Sequence, residues 1–177
     1  MRFLLVTSRN LLGPATYWRA LFGQNGQPMP SMHDYTVVPT DPPRALALAQ
    51  VHLGYSRDLS SDSDSEVAFG GIRDRALVGV AVMHPEPWLA GTTNAWKISA
   101  IVVEPENRRR GLGLLLVEAC LDHARDQGAT RLWCRSSFDA VAFFEAMDFD
   151  SISETVGDGR TVPMYRKITA SARSWAL

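Results

Sequence analysis

The chain has 177 residues, enough for one domain with a short extension. At 46% hydrophobic and 21% charged residues it has globular composition, which excludes wholesale disorder. Lys and Arg number 18 and Asp and Glu 19, and a net charge of −1 argues against nucleic-acid binding through overall charge.

Residues 1–32 form an N-terminal extension and linker. They hold Arg2, Arg9 and Arg19 and no acid, and Gly23–Ser31 is rich in Gly, Gln and Pro. An organelle transit peptide shares this bias, but a short strand over Arg2–Thr7 and a helical turn around Tyr17–Phe22 are the preferred reading. Met29 and Met32 are alternative initiators. Phe3–Val6 is too short for a signal-peptide core, and no apolar run approaches the roughly 18 residues of a membrane span. Cys120 and Cys134 lie in apolar periodic segments and read as buried free thiols of a reducing compartment. The expected location is therefore cytoplasmic, with no membrane partner.

A domain over residues 33–170 follows, with a tail at 171–177. Tyr35–Pro39 reads as a strand, and Asp41-Pro42-Pro43 starts a helix through Ala45, Leu48, Ala49, His52 and Leu53. Asp58–Glu66 is a polar acidic loop. Val67–Arg73 and Ala76–His84 form a hairpin about Asp74-Arg75. Lys97–Val103 is a nearly all-apolar central strand. A helix from about Gly111 to Gln127 carries the stripe Leu114, Val117, Leu121 and Ala124 and ends at Gly128. Arg131–Arg135 is a short strand, and Asp139 caps a helix holding Val141, Phe144 and Met147. Phe149–Val156 and Arg160–Ile168 form a second hairpin about Gly157-Asp158-Gly159.

The chemistry lies between Ile98 and Gly113. An apolar strand leads through Glu104-Pro105-Glu106-Asn107 and Arg108-Arg109-Arg110-Gly111-Leu112-Gly113 into a long helix. A glycine-bearing turn at a helix N-terminus presents unpaired backbone N–H groups, and the arginines add charge-assisted donors. This is a phosphate cradle. It lacks the Gly-x-x-x-x-Gly-Lys-Ser/Thr of P-loop NTPases and the third glycine of the dinucleotide fingerprint. Taken alone, Gly-x-Gly fits a solvated surface turn equally well.

In context the segment resembles the GNAT superfamily of acyl-CoA-dependent N-acyltransferases. Arg108-x-x-Gly111-x-Gly113 matches the family's pyrophosphate loop. Ile101–Glu106 is similar to the preceding strand and Pro-Glu turn, Phe143–Phe149 to the family's Phe-Tyr-Glu-Lys-x-Gly-Phe segment, and Met164–Ile168 to the closing strand. The resemblance implies a mixed α/β (α+β) fold: a central, mostly antiparallel sheet splayed by a bulge and flanked by helices. It implies acetyl-CoA as the acyl donor. The pantetheine arm would lie along Ile101, Val102 and Val103, with Ile101 and Val103 supplying the pairing groups. The pyrophosphate would rest on Arg108, Arg109, Arg110, Gly111, Leu112 and Gly113. Ser137 stands where an asparagine often contacts the cofactor, and Phe144 where the family places a tyrosine acid. Asp148 replaces the usual glycine, implying a different helix end.

Phe144 has no proton to give. A thiol of pKa about 8.5 is nonetheless a tolerable leaving group, and a positioned acid contributes roughly 10²–10⁴-fold. Tyr165, Ser137 or water are the substitutes, and Tyr165 is the catalytic choice. An alkylammonium of pKa about 10.4 must also lose its proton. Glu104 is the first candidate base, followed by Glu66 and His84. For each of these carboxylates a solvated surface charge is the competing reading. The acidic loop beside the acceptor cleft would attract a cationic amine. Trp88, Trp96 and Tyr55 are either pocket lining or core. No cluster has metal-ligand spacing. Neither cysteine is placed to face the wedge as an acyl carrier.

The expected activity is acetyl transfer to a primary amine, on a small molecule or peptide, by direct attack in a ternary complex. The alternative is an acyl-CoA sensor with degraded chemistry. A toxin-like acylation of aminoacyl-tRNA is disfavoured by the absence of a basic stripe beyond Arg108–Arg110. The apolar clusters of the extension would dock on the domain or on a second subunit, which makes a homodimer the candidate assembly.

Overall fold

The computed structural model describes residues 34–53, 65–87, 94–151 and 161–169. Both elements expected before residue 33, the acidic loop through residue 64, Tyr55, Trp88 and the turn at 157–159 lie outside the described residues. The elements run β1 (Thr36–Thr40), α1 (Pro42–Leu53), β2 (Val67–Arg73), β3 (Ala76–Pro85), β4 (Ala95–Val103), α2 (Leu112–Asp126), β5 (Arg131–Ser137), α3 (Val141–Glu145), β6 (Asp150–Ser151) and β7 (Thr161–Lys167). One seven-stranded sheet holds them in the order β1-β2-β3-β4-β5-β7-β6. Every pairing is antiparallel except β4 with β5.

The helices divide the core between the two faces of the sheet. On one face Ala45, Leu46 and Ala49 of α1 pack against Ala68, Val80, Val82, Ala100 and Val102. On the other, α2 buries Leu112, Leu116, Val117, Cys120, Leu121 and Ala124 against Phe69, Ala81, Met83, Ile98 and Leu132. Leu114, expected in this stripe, is only partly buried at its edge. Helix α2 ends as the sequence requires. Gly128 takes φ +72°, its N–H bonds Arg125 O at 2.9 Å, and Ala129 N–H bonds Ala124 O at 2.9 Å, a Schellman turn.

The β2–β3 hairpin closes through Asp74 and Arg75, both with positive φ (49° and 67°), as a two-residue type I′ connection demands. Within this hairpin Gly71 pairs with Gly79. A Cβ on Gly71 would stand 2.5 Å from Leu112 Cδ1, and one on Gly79 would stand 3.0 Å from Leu112 Cδ2. The paired glycines therefore form a slot that receives Leu112 and seats the N-terminus of α2 on the sheet.

Three expectations about α3 are corrected. Asp139 is not its cap: it lies inside a 3-10 turn, Phe138–Ala140, and α3 starts from Ala140 with no side-chain cap. Met147 lies in the turn after the helix. Asp148 does not give a different helix end, because it adopts the glycine conformation itself, at φ 59°. Its N–H bonds Glu145 O at 3.0 Å and Phe149 N–H bonds Phe144 O at 3.1 Å, again a Schellman pattern. Asp tolerates this region better than most residues but still carries strain of about 1–2 kcal/mol. Its ion pair to Arg166, at 3.6 Å and well exposed, offsets little. Asp148→Gly is therefore expected to raise stability by about 0.5–1 kcal/mol after the added unfolded-chain entropy. A urea midpoint that falls would show that the side chain contributes more than its backbone conformation costs.

Candidate active site

Strand β4 pairs with β5 over four rungs only, from Ala95 opposite Arg131 to Ile98 opposite Cys134. On its other edge β4 continues along β3 to Val103. The register against β3 slips between Met83–Ile98 and Val82–Ala100, which leaves Ser99 as a bulge. Ser99 Oγ donates to Val82 O at 3.1 Å. The bulge exchanges the faces of β4: Trp96 and Ile98 face α2, whereas Ala100 and Val102 face α1. From Ser99 onward β4 and β5 part, and the sheet opens as a wedge with its apex beside the bulge.

Which backbone groups face the wedge follows from strand alternation. Glu104 N–H donates to Val78 O at 2.9 Å, so Glu104 and, two residues back, Val102 spend their groups on β3. Ile101 and Val103 then present theirs to the open edge. Arg108 Nε donates to Val103 O at 2.8 Å, which confirms that this carbonyl points outward. Val102 instead buries its side chain under α1.

The loop at the wide end of the wedge has a strained backbone. Arg109 has φ 60° and Gly111 φ 87°. Gly111 precedes α2 with no side-chain cap, and the first intrahelical bond is Leu115 N–H to Gly111 O at 3.2 Å. The amides of Leu112, Gly113 and Leu114 are therefore left without helical partners. Leu112 contributes its backbone alone, since its side chain is 1% exposed in the glycine slot. Gly113 has no left-handed backbone, and a Cβ there would meet Phe143 at an ordinary 3.4 Å. Free amides, a helix N-terminus and three arginines fit a pyrophosphate, and the open strand edge fits an amide-bearing arm.

Asn107, to which the sequence reading gave no role, anchors this loop. It is buried, and its Oδ1 accepts from Tyr35 OH and Arg73 Nη1, each at 3.2 Å. The sequence shows only an asparagine immediately before a basic Gly-rich loop; its burial and its partners come from the fold.

The remaining expected residues separate. Glu104 stands at the loop end of β4, five residues beyond the bulge, which is about 16 Å at strand rise. Ser137 is exposed at the end of β5. Phe144 is 3% exposed and packs edge-on against Phe143 and Phe149. Trp96 is buried in the core with its ring edge-on to His123. Cys134 stands opposite Ile98 on the last β4–β5 rung, in mid-strand, and its side chain is buried in the core with α2. Burial pushes its thiol up to about 12, and that of Cys120 higher still, so neither is a thiolate near neutrality.

Tyr165 lies in a row that crosses the sheet one rung on the closed side of the apex. His84 (β3) pairs with Lys97 (β4), Lys97 with Trp133 (β5), and Trp133 with Tyr165 (β7). Continuing the register of Val67 with Met83 puts Glu66 beside His84. Glu86 caps the row: its carboxylate accepts from His84 Nε2 at 2.8 Å and from Lys97 Nζ at 2.9 Å, and its backbone O accepts from Trp133 Nε1 at 3.1 Å. Lys97 Nζ also sits 4.7 Å from the Trp133 ring centre, and the Arg131 guanidinium 5.6 Å from that of Tyr165.

Burial alone would raise the Glu86 carboxyl, but the hydrogen bonds from Lys97 and His84 outweigh it and hold it below its ordinary 4.5. Its contribution to stability is thus fully present above pH 4.5 and lost as pH falls through the lower folded value. In urea unfolding, the parent's advantage over Glu86→Gln should shrink on acidification below that pH. A constant difference would mean that the carboxylate's charge is irrelevant.

The described residues contain no helix long and apolar enough to cross a membrane. Residues 33–149 match the model of the acetyltransferase (GNAT) family. A mycothiol acetyltransferase of Rhodococcus erythropolis is 36% identical over 66 residues, which is 37% of this chain and 21% of that enzyme. The fold superposes on an Escherichia coli ribosomal-protein-S18-alanine N-acetyltransferase with TM-score 0.60 and 17% identity, covering 81% of this chain and 99% of that one. A Klebsiella pneumoniae chain classed as an acyl-CoA N-acyltransferase gives TM-score 0.65 at 18% identity, covering 76% and 98%. GNAT enzymes bind acyl-CoA and act on amine acceptors, on small molecules or on proteins. With its splayed sheet and its family match over most of the domain, the chain belongs to the GNAT acetyltransferase family.

Proposed function

We propose that the protein transfers an acetyl group from acetyl-CoA to a primary amine, by direct attack within a ternary complex. The observation that carries this reading is the wedge, whose strand edge beyond the last β5 rung, at Ile101 and Val103, leads directly to the uncapped amides of α2. Acetyl-CoA supplies an activated acetyl thioester. The chain's part is to hold it: Ile101 and Val103 by backbone pairing, Arg108 to Gly113 by amides and guanidinium groups. Side-chain identity matters little along the strand, which is why an apolar segment serves as a binding surface.

The raised thiol of Cys134 at the apex supports direct attack over a covalent acyl-enzyme. Phe144 supplies no acid; its ring is buried edge-on against Phe143 and Phe149. Tyr165 lies in the row that ends on β7, opposite Trp133, and its phenol is the group we assign as proton donor. Glu104, beside the pyrophosphate end, is far from the apex where the thioester would react.

The test is a coupled assay of free thiol release from acetyl-CoA against a panel of small polyamines, amino-acid amides and peptide N-termini. Saturable release with at least one amine, with the acetyl group recovered on nitrogen, is expected. Tight CoA binding with thiol release no faster than without protein would favour the sensor reading instead.

A further inference from the structure

From the row at the apex we infer that His84, held by Glu86, accepts the proton that the acceptor amine must lose; the inference rests on the acyl-transfer reading. A carboxylate only accepts hydrogen bonds, so the 2.8 Å contact places the proton of His84 on Nε2. That tautomer leaves Nδ1 as a bare lone pair. Nδ1 is buried and has no hydrogen-bond partner among the described residues. An unpaired buried acceptor of this kind costs about 1–3 kcal/mol unless a donor arrives from outside. An N–H of an incoming amine, or a water relaying its proton, is such a donor.

Location supports the assignment. His84 pairs with Lys97, one rung from the apex pair Ile98–Cys134, about 3–4 Å along the strand. Glu104, by contrast, lies at the opposite, pyrophosphate end of β4. The charged groups around His84 are Glu86 from the segment after β3, Lys97 from β4 and Glu66 ahead of β2. Glu86 is itself fixed by Lys97 through both carboxylate oxygens, at 3.1 and 2.9 Å. The carboxylate therefore orients the ring and stabilises the imidazolium that forms, the role of the third member in a nucleophile–histidine–carboxylate set. Lys97 is a positioning residue for Glu86.

The balance is simple. The neutral amine nitrogen bonds the acyl carbon, the C–S bond breaks, and one nitrogen proton goes to His84 Nδ1. The leaving thiolate takes a proton from the Tyr165 phenol, which regains one from water, to which the imidazolium then returns its own. The products are an amide and a free thiol.

Three readouts test the inference on the full chain. Long-range ¹⁵N NMR of the parent should show His84 protonated on Nε2 only, and Glu86→Gln should disturb that pattern. Isothermal titration with CoA should give affinities within about twofold for the parent, His84→Gln and Glu86→Gln. With acetyl-CoA and spermidine, glycinamide or hydroxylamine as acceptor, His84→Gln should lose 10²–10⁴-fold in kcat/KM, together with the acidic limb of the parent's pH profile. Glu86→Gln should lose less and displace that limb. An acidic limb that survives His84→Gln, or an Nδ1–H tautomer, overturns the inference and leaves acyl transfer standing. A parent that binds CoA but turns over none of these acceptors also counts against it. Failure of the parent to bind CoA removes the reading on which it rests.

Discussion

Gly111→Val should lower CoA affinity by at least the order of 10²-fold. At φ 87° a β-branched residue is strained by about 1–2 kcal/mol or more, and relief of that strain turns the Gly111–Leu112 peptide away from the cradle. Losing two amide bonds to a charged phosphate, each about 1.5–3 kcal/mol, gives a drop of this size. The helix itself persists, because the Leu112 slot and not the loop seats it. Calorimetry with CoA, beside a thermal melt, separates the two effects. An affinity within twofold of the parent would remove Gly111 and its amides from the binding site.

Leu112→Ala should cost about 2–5 kcal/mol, because the paired glycines beneath have no side chains with which to fill the void. For a chain of this size that is a fall in Tm of about 5–20 °C. A second substitution makes the explanation specific. Gly71→Ala in the parent pushes a methyl to 2.5 Å from Leu112 Cδ1 and should destabilise by about 1–3 kcal/mol. In the Leu112→Ala background the same methyl occupies the vacated space and should stabilise. Urea unfolding of the four proteins completes the cycle. Strict additivity would show that Leu112 does not occupy the slot.

The strands and helices were legible because their signals are local. The Asp74-Arg75 hairpin, the Pro42 helix start and Gly128 each carry their own turn or cap chemistry, and the structure places all three where that chemistry requires. What failed was local chemistry with two solutions. Asp139 is a good cap residue that the chain uses inside a 3-10 turn, and Asp148 is a non-glycine that adopts glycine's conformation. The phosphate cradle was readable because its residues are contiguous.

The acceptor-side row was not readable as a row. His84, Lys97, Trp133 and Tyr165 are brought together by register across four strands, and register depends on a bulge at Ser99 that one serine in an apolar run scarcely announces. His84, Glu66 and Tyr165 were each candidates singly. Glu86, which joins the row, had no motif to mark it. Asn107 was similarly hidden, since its partners Tyr35 and Arg73 lie 72 and 34 residues away.

The most direct test of the central claim is an amide-shift titration of the ¹⁵N-labelled protein with CoA. The account predicts saturable shifts concentrated at Ile101 and Val103, at Gly111 to Leu114, and at the β5 amides beyond Cys134, with the amides of α1 unmoved. Shifts absent from the wedge and the start of α2, or concentrated elsewhere on the sheet, would contradict it.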